Sequence, residues 1–242
     1  MIAWHAYGAE ADIPLIALHG IGSSGAGFAA FAAATKRRVL AWDMPGYGAS
    51  DEAEIGDLAT LAQALLAAVP DRFDLLGHSL GCLIAGRAAA LAPTRVRRVT
   101  FAAPALGHGV APPGLSRAAQ ARIGIPDIAA FAAARAPRLL ARPNGAALAQ
   151  VTAQMAALRA PGHEAAARLL SAGDLLADAR RLTMPADVIV GAGDVITPPK
   201  AARALYAALP VKGAYTELPD TGHALTAEAP RALAAALMME TT

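Results

Sequence analysis

The stretch "DLLGHSLGC", residues 74–82, sets Ser79 between Gly77 and Gly81, after an apolar run and before a helix-like one. A strand that turns directly into a helix forces its middle residue into strained backbone angles, and glycines two positions away relieve the crowding. Such a turn lifts the Ser79 hydroxyl off the sheet. It also aims the next helix's N-terminus at the site, where free N–H groups favour negative charge. A serine hydroxyl is a poor nucleophile until a base removes its proton. Of the six histidines, His223 in "PDTGHAL" follows the last strand-like run and falls on the same sheet edge. The base needs an acceptor that fixes its tautomer and stabilises its cation. Asp194, which follows "DVIV" through the turn "GAG", meets that need. The chain order Ser79, Asp194, His223 is the one expected for a serine mounted on a strand-to-helix elbow.

Other candidates are weaker. "VTFAAPALG" holds no carboxylate, and Asp174, Asp178 and Asp187 are read as preceding the strand, on the opposite edge. Asp220 belongs to the turn that leads into His223. His19 reads as a packing or hydrogen-bonding residue of its turn, and His78 as pointing away from the reacting atom. His5, His108 and His163 read as structural or surface residues. An oxygen that becomes negative needs two N–H donors. Leu80, next after the nucleophile, is one. Ile21 in "HGIGSSG" is the other, with Gly22 the second choice, because the glycines let this loop approach closely.

Something must carry these residues to one edge. Short Val/Ile/Leu-rich runs end in turn signals at 14–20, 37–46, 72–81, 96–105, 185–194 and 213–223, which fits buried strands of a mainly parallel sheet. Helix-length stretches rich in alanine and leucine lie at 24–35, 57–69, 80–92, 199–209 and 227–239. "MIAWHAYG" adds an antiparallel strand at the start. The alternation argues for a three-layer α/β sandwich, whose ligands bind at the carboxyl ends of the strands. Between 106 and 181 the rhythm fails. Helix-like segments are broken at "APPG", "ARPNG" and "RAPGH", which predicts a helical cap inserted into a core of 1–105 and 182–242. A second small helical domain is the alternative. The cap carries Arg117, Arg122, Arg135, Arg138, Arg142, Arg159 and Arg168. They are either solvated or hold a substrate carboxylate, which suits a bidentate guanidinium.

Composition narrows the classes. The 242 residues are 55% hydrophobic with a net charge of +2, and Cys82 is the only cysteine, so no intrachain disulfide forms. The basic clusters "KRR" and "TRVRRV" read as solvated strand starts rather than a nucleic-acid surface. No signal peptide, apolar span, metal-ligand spacing or dinucleotide fingerprint is expected, so the expectation is a soluble cytoplasmic protein with no cofactor and no metal. A homodimer is left open.

Five motifs in order resemble the α/β-hydrolase superfamily over nearly the whole chain: "LHGIGSSG" (18–25), "DMPGYGASD" (43–51), "GHSLG" (77–81), "GAGDVITPP" (191–199) and "PDTGHAL" (219–225). The resemblance implies Ser79 as nucleophile, His223 as base, Asp194 as acid, and Ile21 and Leu80 as oxyanion donors. It implies a structural role for "DMPGYGASD". Within the superfamily the chain looks most like small enol-lactonase-like and carboxylesterase-type hydrolases, with one N-terminal strand where a pair is usual. The reaction implied is cleavage of an ester or lactone of a small molecule through an acyl-enzyme. Carbon–carbon hydrolysis, a cofactor-free oxygenase or perhydrolase reaction on the same scaffold, and ligand binding without catalysis are the alternatives, and Ser79 argues against the carboxylate nucleophile of haloalkane dehalogenases.

Overall fold

The computed structural model describes residues 1–52, 56–110, 114–143 and 145–237. Among the described residues seven strands form one sheet: β1 (Trp4–Tyr7), β2 (Leu15–Leu18), β3 (Val39–Trp42), β4 (Phe73–His78), β5 (Val96–Ala102), β6 (Ala186–Gly191) and β7 (Lys212–Leu218). Their order is β1-β3-β2-β4-β5-β6-β7. β1 runs antiparallel to β3, and the other neighbours are parallel. Each strand-like run of the sequence holds one of these strands. The helices are α1 (Ala29–Thr35), α2 (Leu58–Ala68), α3 (Leu80–Leu91), α4 (Arg117–Gln120), α5 (Ile128–Arg135), α6 (Gly145–Ala156), α7 (Ala160–Ala172), α8 (Leu175–Ala179), α9 (Pro199–Ala208), α10 (Leu225–Glu228) and α11 (Pro230–Leu237).

The central strands β2, β4 and β6 are buried along their whole length because both faces of the sheet are covered. Ile16, Leu75, Val99 and Val188 share one core with Leu61 of α2, Ile84 of α3 and Leu205 of α9. Leu15, Ala17, Leu76 and Ile189 share the other with Phe31 of α1 and Leu233 of α11. Successive side chains of one strand thus serve opposite layers.

Two expected helices are divided. A 3-10 turn over Gly25–Phe28 precedes α1. The 227–239 helix is α10 and α11, separated at Ala229 (φ −138°). Pro230 lacks an N–H and disfavours helical geometry in the residue before it. Residues 238–239 of that expected helix, 111–113 of "APPG" and Asn144 of "ARPNG" lie outside the described residues.

Between β5 and β6 the described residues hold five helices, α4–α8, and no strand. Ala132, Ala136, Leu139, Val151 and Met155 form a separate apolar cluster that includes Ala224, the neighbour of His223. α7 meets the turn after β3 backbone to backbone, where a Cβ on Gly162 would lie 2.2 Å from the Gly46 carbonyl oxygen. Arg159 donates to the carbonyls of Gly46, Tyr47 and Ser50. Among the described residues no helix is long and apolar enough to cross a membrane.

The arginines at the strand starts are paired rather than simply solvated. Arg37 and Arg97 both bind the buried Asp74. Arg98 grips Asp187 through two bonds of 2.5 and 2.6 Å, and Asp187 also accepts from the Ala214 N–H at 2.7 Å. Asp187 lies inside β6, near its amino end, and ties β5, β6 and β7 together. Asp187→Asn is therefore expected to lower unfolding free energy by about 1–3 kcal/mol, read from urea denaturation. An unchanged midpoint would show that the pair contributes nothing.

Candidate active site

Ser79 sits between β4 and α3 with φ 55° and ψ −116°, a conformation that L residues rarely adopt. Its surroundings leave no room for side chains. A Cβ on Gly77 would lie 2.5 Å from the Gly81 carbonyl oxygen, and one on Gly81 would lie 2.2 Å from the Leu18 oxygen of β2. The second glycine therefore serves the neighbouring strand as well as the turn. Gly20 has the same constraint, since its Cβ would fall 2.7 Å from that of Ser79.

Ser79, Asp194 and His223 come from three loops at the carboxyl ends of β4, β6 and β7, and they meet. Ser79 Oγ lies 2.9 Å from His223 Nε2. His223 Nδ1 lies 2.8 Å from Asp194 Oδ2. Burial alone would raise the Asp194 pKa. The His223 hydrogen bond and charge, with the Thr197 and Ile196 N–H groups, outweigh it and hold the carboxyl below its usual range. Asp194 is thus ionised at neutral pH, so His223 Nδ1 carries a proton and Nε2 is left to accept from Ser79.

Ile21 and Leu80 both line the cavity with Ser79 and His223. Leu80 opens α3, so its N–H has no helical acceptor. Cys82 is buried, its thiol pKa pushed up by burial, and its Sγ lies 3.1 Å from the Gly77 carbonyl oxygen. The remaining histidines have other work. His19 donates from Nδ1 to Gly20 O at 2.9 Å and accepts the Met44 N–H at Nε2. His5 contacts Asp43, which accepts the Gly25 and Ala49 N–H groups and so fixes the "DMPGYGASD" turn. His108 bonds Ser116 at 2.6 Å, and His163 packs edge-on against Phe131.

Two neighbours of the site have roles that the sequence does not announce. The His78 ring lies 5.3 Å from that of His223, and its Nε2 donates to the His223 carbonyl at 2.8 Å and so fixes that loop. Thr197 Oγ1 lies 2.9 Å from Asp194 Oδ2, 3.1 Å from His223 Nδ1 and 3.0 Å from Ala103 O. The signal for Thr197 is the Asp-x-x-Thr spacing. Asp194 Oδ1 accepts the N–H groups of Ile196 and Thr197, as an aspartate-led turn does.

The cavity above Ser79 has a volume of about 390 Å³. Arg122, Arg135 and Arg138 reach it from the helical segment, whereas Arg142 pairs with Asp220, and Arg117 and Arg168 are exposed. Among the described residues no three His, Cys, Asp or Glu side chains are grouped to hold a metal ion.

A family profile described as the alpha/beta hydrolase family matches residues 15–236. The chain is 36% identical over 227 residues to a pimeloyl-[acyl-carrier protein] methyl ester esterase of Chromobacterium violaceum, covering 87% of each protein. It is 37% identical over 119 residues to the dihydrolipoyllysine-residue acetyltransferase component of an acetoin cleaving system from Pseudomonas putida. That match spans 46% of this chain and only 32% of the relative. It is also 38% identical over 98 residues to the Vibrio campbellii pimeloyl-[acyl-carrier protein] methyl ester esterase, 40% of this chain and 38% of the relative. Among solved structures, the enol-lactonase of Burkholderia xenovorans LB400 superposes with TM-score 0.84 at 24% identity, covering 98% and 94% of the two chains, a likeness of fold. A hydrolase from Pseudomonas aeruginosa PA01 superposes with TM-score 0.82 at 26% identity, covering 98% and 92%.

Burial pushes both His19 and His78 down to about pKa 4. An unfolded histidine titrates near 6.5. Each therefore contributes stability that is fully present above about pH 6.5 and is lost as pH falls toward 4. Unfolding free energy measured in urea should decline from about pH 6.5 downward, by up to about 1.4 kcal/mol per pH unit per histidine. His78→Phe should flatten that slope and lower stability at pH 7. A profile level from pH 7 to 5 would contradict this.

Proposed function

The chain belongs to the alpha/beta hydrolase family, and on that premise we propose that it cleaves a carboxylic ester or lactone of a small molecule, with Ser79 as nucleophile, His223 as base and Asp194 as acid. The observation that carries this reading is the continuous relay of 2.9 Å from Ser79 to His223 and 2.8 Å from His223 to Asp194, open to a cavity. The name of the full-length relative, a methyl ester esterase, makes simple alkyl esters the first substrates to test.

Ser79 Oγ attacks the carbonyl carbon while His223 Nε2 takes its proton. Asp194 stabilises the imidazolium that results. The tetrahedral oxygen takes the negative charge and is held by the N–H groups of Ile21 and Leu80, at the positive end of α3. The carbonyl re-forms, the C–O bond to the alcohol breaks, and His223 returns the proton to the leaving oxygen. Water, deprotonated by His223, then attacks the acyl-enzyme and releases the acid. Thr197 holds Asp194 against His223, and His78 holds the His223 backbone. Residues 106–181 act as a cap over a core of 1–105 and 182–242, and they select what reaches Ser79.

With a p-nitrophenyl ester, Ser79→Ala should lower kcat/KM roughly a thousandfold or more, and Asp194→Asn roughly 10^2- to 10^4-fold. Thr197→Val, which leaves the relay atoms in place, should lower kcat only about 3- to 10-fold. Equal turnover by wild type and Ser79→Ala would remove the proposal.

A further inference from the structure

Three guanidinium groups share the cavity with Ser79. Arg122 follows α4, Arg135 closes α5, and Arg138 lies in the 3-10 turn Ala136–Leu139. No aspartate or glutamate lines this cavity among the described residues. Arg135 and Arg138 make no ion pair or hydrogen bond among the described residues. Their neighbours in charge are other arginines. Burial, and then the charges of Arg122 and Arg138, push the Arg135 guanidinium down to about 10, still protonated at neutral pH.

Half-burying like charges together is unfavourable, and cores normally pair such groups. The other cap arginines obey that rule or stay exposed: Arg142 meets Asp220, Arg159 caps three carbonyls, and Arg168 is exposed. Arg135, half-buried and without an ion pair among the described residues, is therefore an exception in this chain, and Arg122 and the exposed Arg138 line the same cavity beside it, where substrate must enter. Leu106, Leu139, Leu170 and Ile196 complete the walls with apolar surface. A cavity of about 390 Å³ suits a small ligand with an apolar middle.

We propose that the substrate carries a second, oxyanionic group, a carboxylate or a phosphate, which Arg122, Arg135 and Arg138 hold while the ester carbonyl reaches Ser79. This rests on the ester-hydrolase reading and names the substrate class of the same site. Guanidinium groups bind either oxyanion through paired N–H donors.

The test is kcat/KM for monomethyl adipate, methyl 5-phosphonooxypentanoate and methyl hexanoate, which share an acyl chain and differ in its end. Wild type should favour at least one anionic ester over methyl hexanoate by roughly tenfold or more, and the one favoured identifies the group. Arg135→Gln should reduce that ratio roughly 10- to 100-fold, chiefly through KM, the loss expected for one charge-assisted pair. Arg135→Lys should restore part of it, and the exposed Arg168→Gln should keep the wild-type ratio. Equal treatment of the three esters by wild type, or a ratio unmoved by Arg135→Gln and Arg138→Gln, would overturn the proposal. Calorimetric titration of the wild-type protein with adipate reads the anion site without turnover, so it also covers a variant that does not fold. Adipate binding supports a carboxylate site, and turnover of methyl hexanoate with neither adipate binding nor a preference for the phosphorylated ester overturns the proposal. Failure on all three esters together with no fluorophosphonate adduct on Ser79 would instead remove the hydrolase reading.

Discussion

The strained backbone of Ser79 is the constraint on which the rest of the site depends. A residue at φ 55° and ψ −116° persists only where its neighbours over-determine it. Here β4 enters from the sheet, α3 leaves from it, and the Ser79 N–H donates to Ala102 O of β5 at 3.0 Å. Gly77 and Gly81 have backbone where their side chains would be, and Gly20 brings the loop after β2 against the serine itself. Strain held in this way places one hydroxyl above the sheet edge with the first N–H groups of α3 behind it.

The partners of that hydroxyl arrive by a different principle. Asp194 is fixed by an aspartate-led turn, in which one oxygen binds two backbone N–H groups and the other is left for His223. His223 is fixed from behind, through its carbonyl, by a histidine that burial keeps neutral. A neutral anchor beside His223 avoids like-charge repulsion in the proposed mechanism, where that histidine takes a proton. Charge balance changes sharply above this layer. The relay has its own carboxylate, while the cavity wall has guanidinium groups and, among the described residues, no acid.

Much of this is legible in the residues, because the relevant rules act locally. Buried strands of a covered sheet must be apolar, so the runs at 72–81 and 185–194 announce β4 and β6. A strand-to-helix elbow must have small residues at 77 and 81, so the glycines announce Ser79. What depends on three-dimensional neighbours is not legible. Nothing in "TRVRRV" shows that Arg97 reaches Asp74 and Arg98 reaches Asp187 across the sheet. Nothing around His78 shows that its partner lies 145 residues further along the chain. Pro230 is visible, and its local rule divides α10 from α11 within a stretch whose composition suggests one helix. The arginines between β5 and β6 look alike in the sequence, and only packing sets Arg122, Arg135 and Arg138 at the cavity.

The proposed chemistry stands or falls with Ser79 as an activated nucleophile. A fluorophosphonate reagent, followed by peptide mass mapping, addresses it directly, because the reagent labels an activated serine whatever ester that serine cleaves. One adduct per chain on Ser79, abolished by Ser79→Ala and slowed at least about a hundredfold by His223→Ala, is the result expected of a serine activated by this relay. No adduct, an adduct on another residue, or labelling indifferent to His223 would contradict the account.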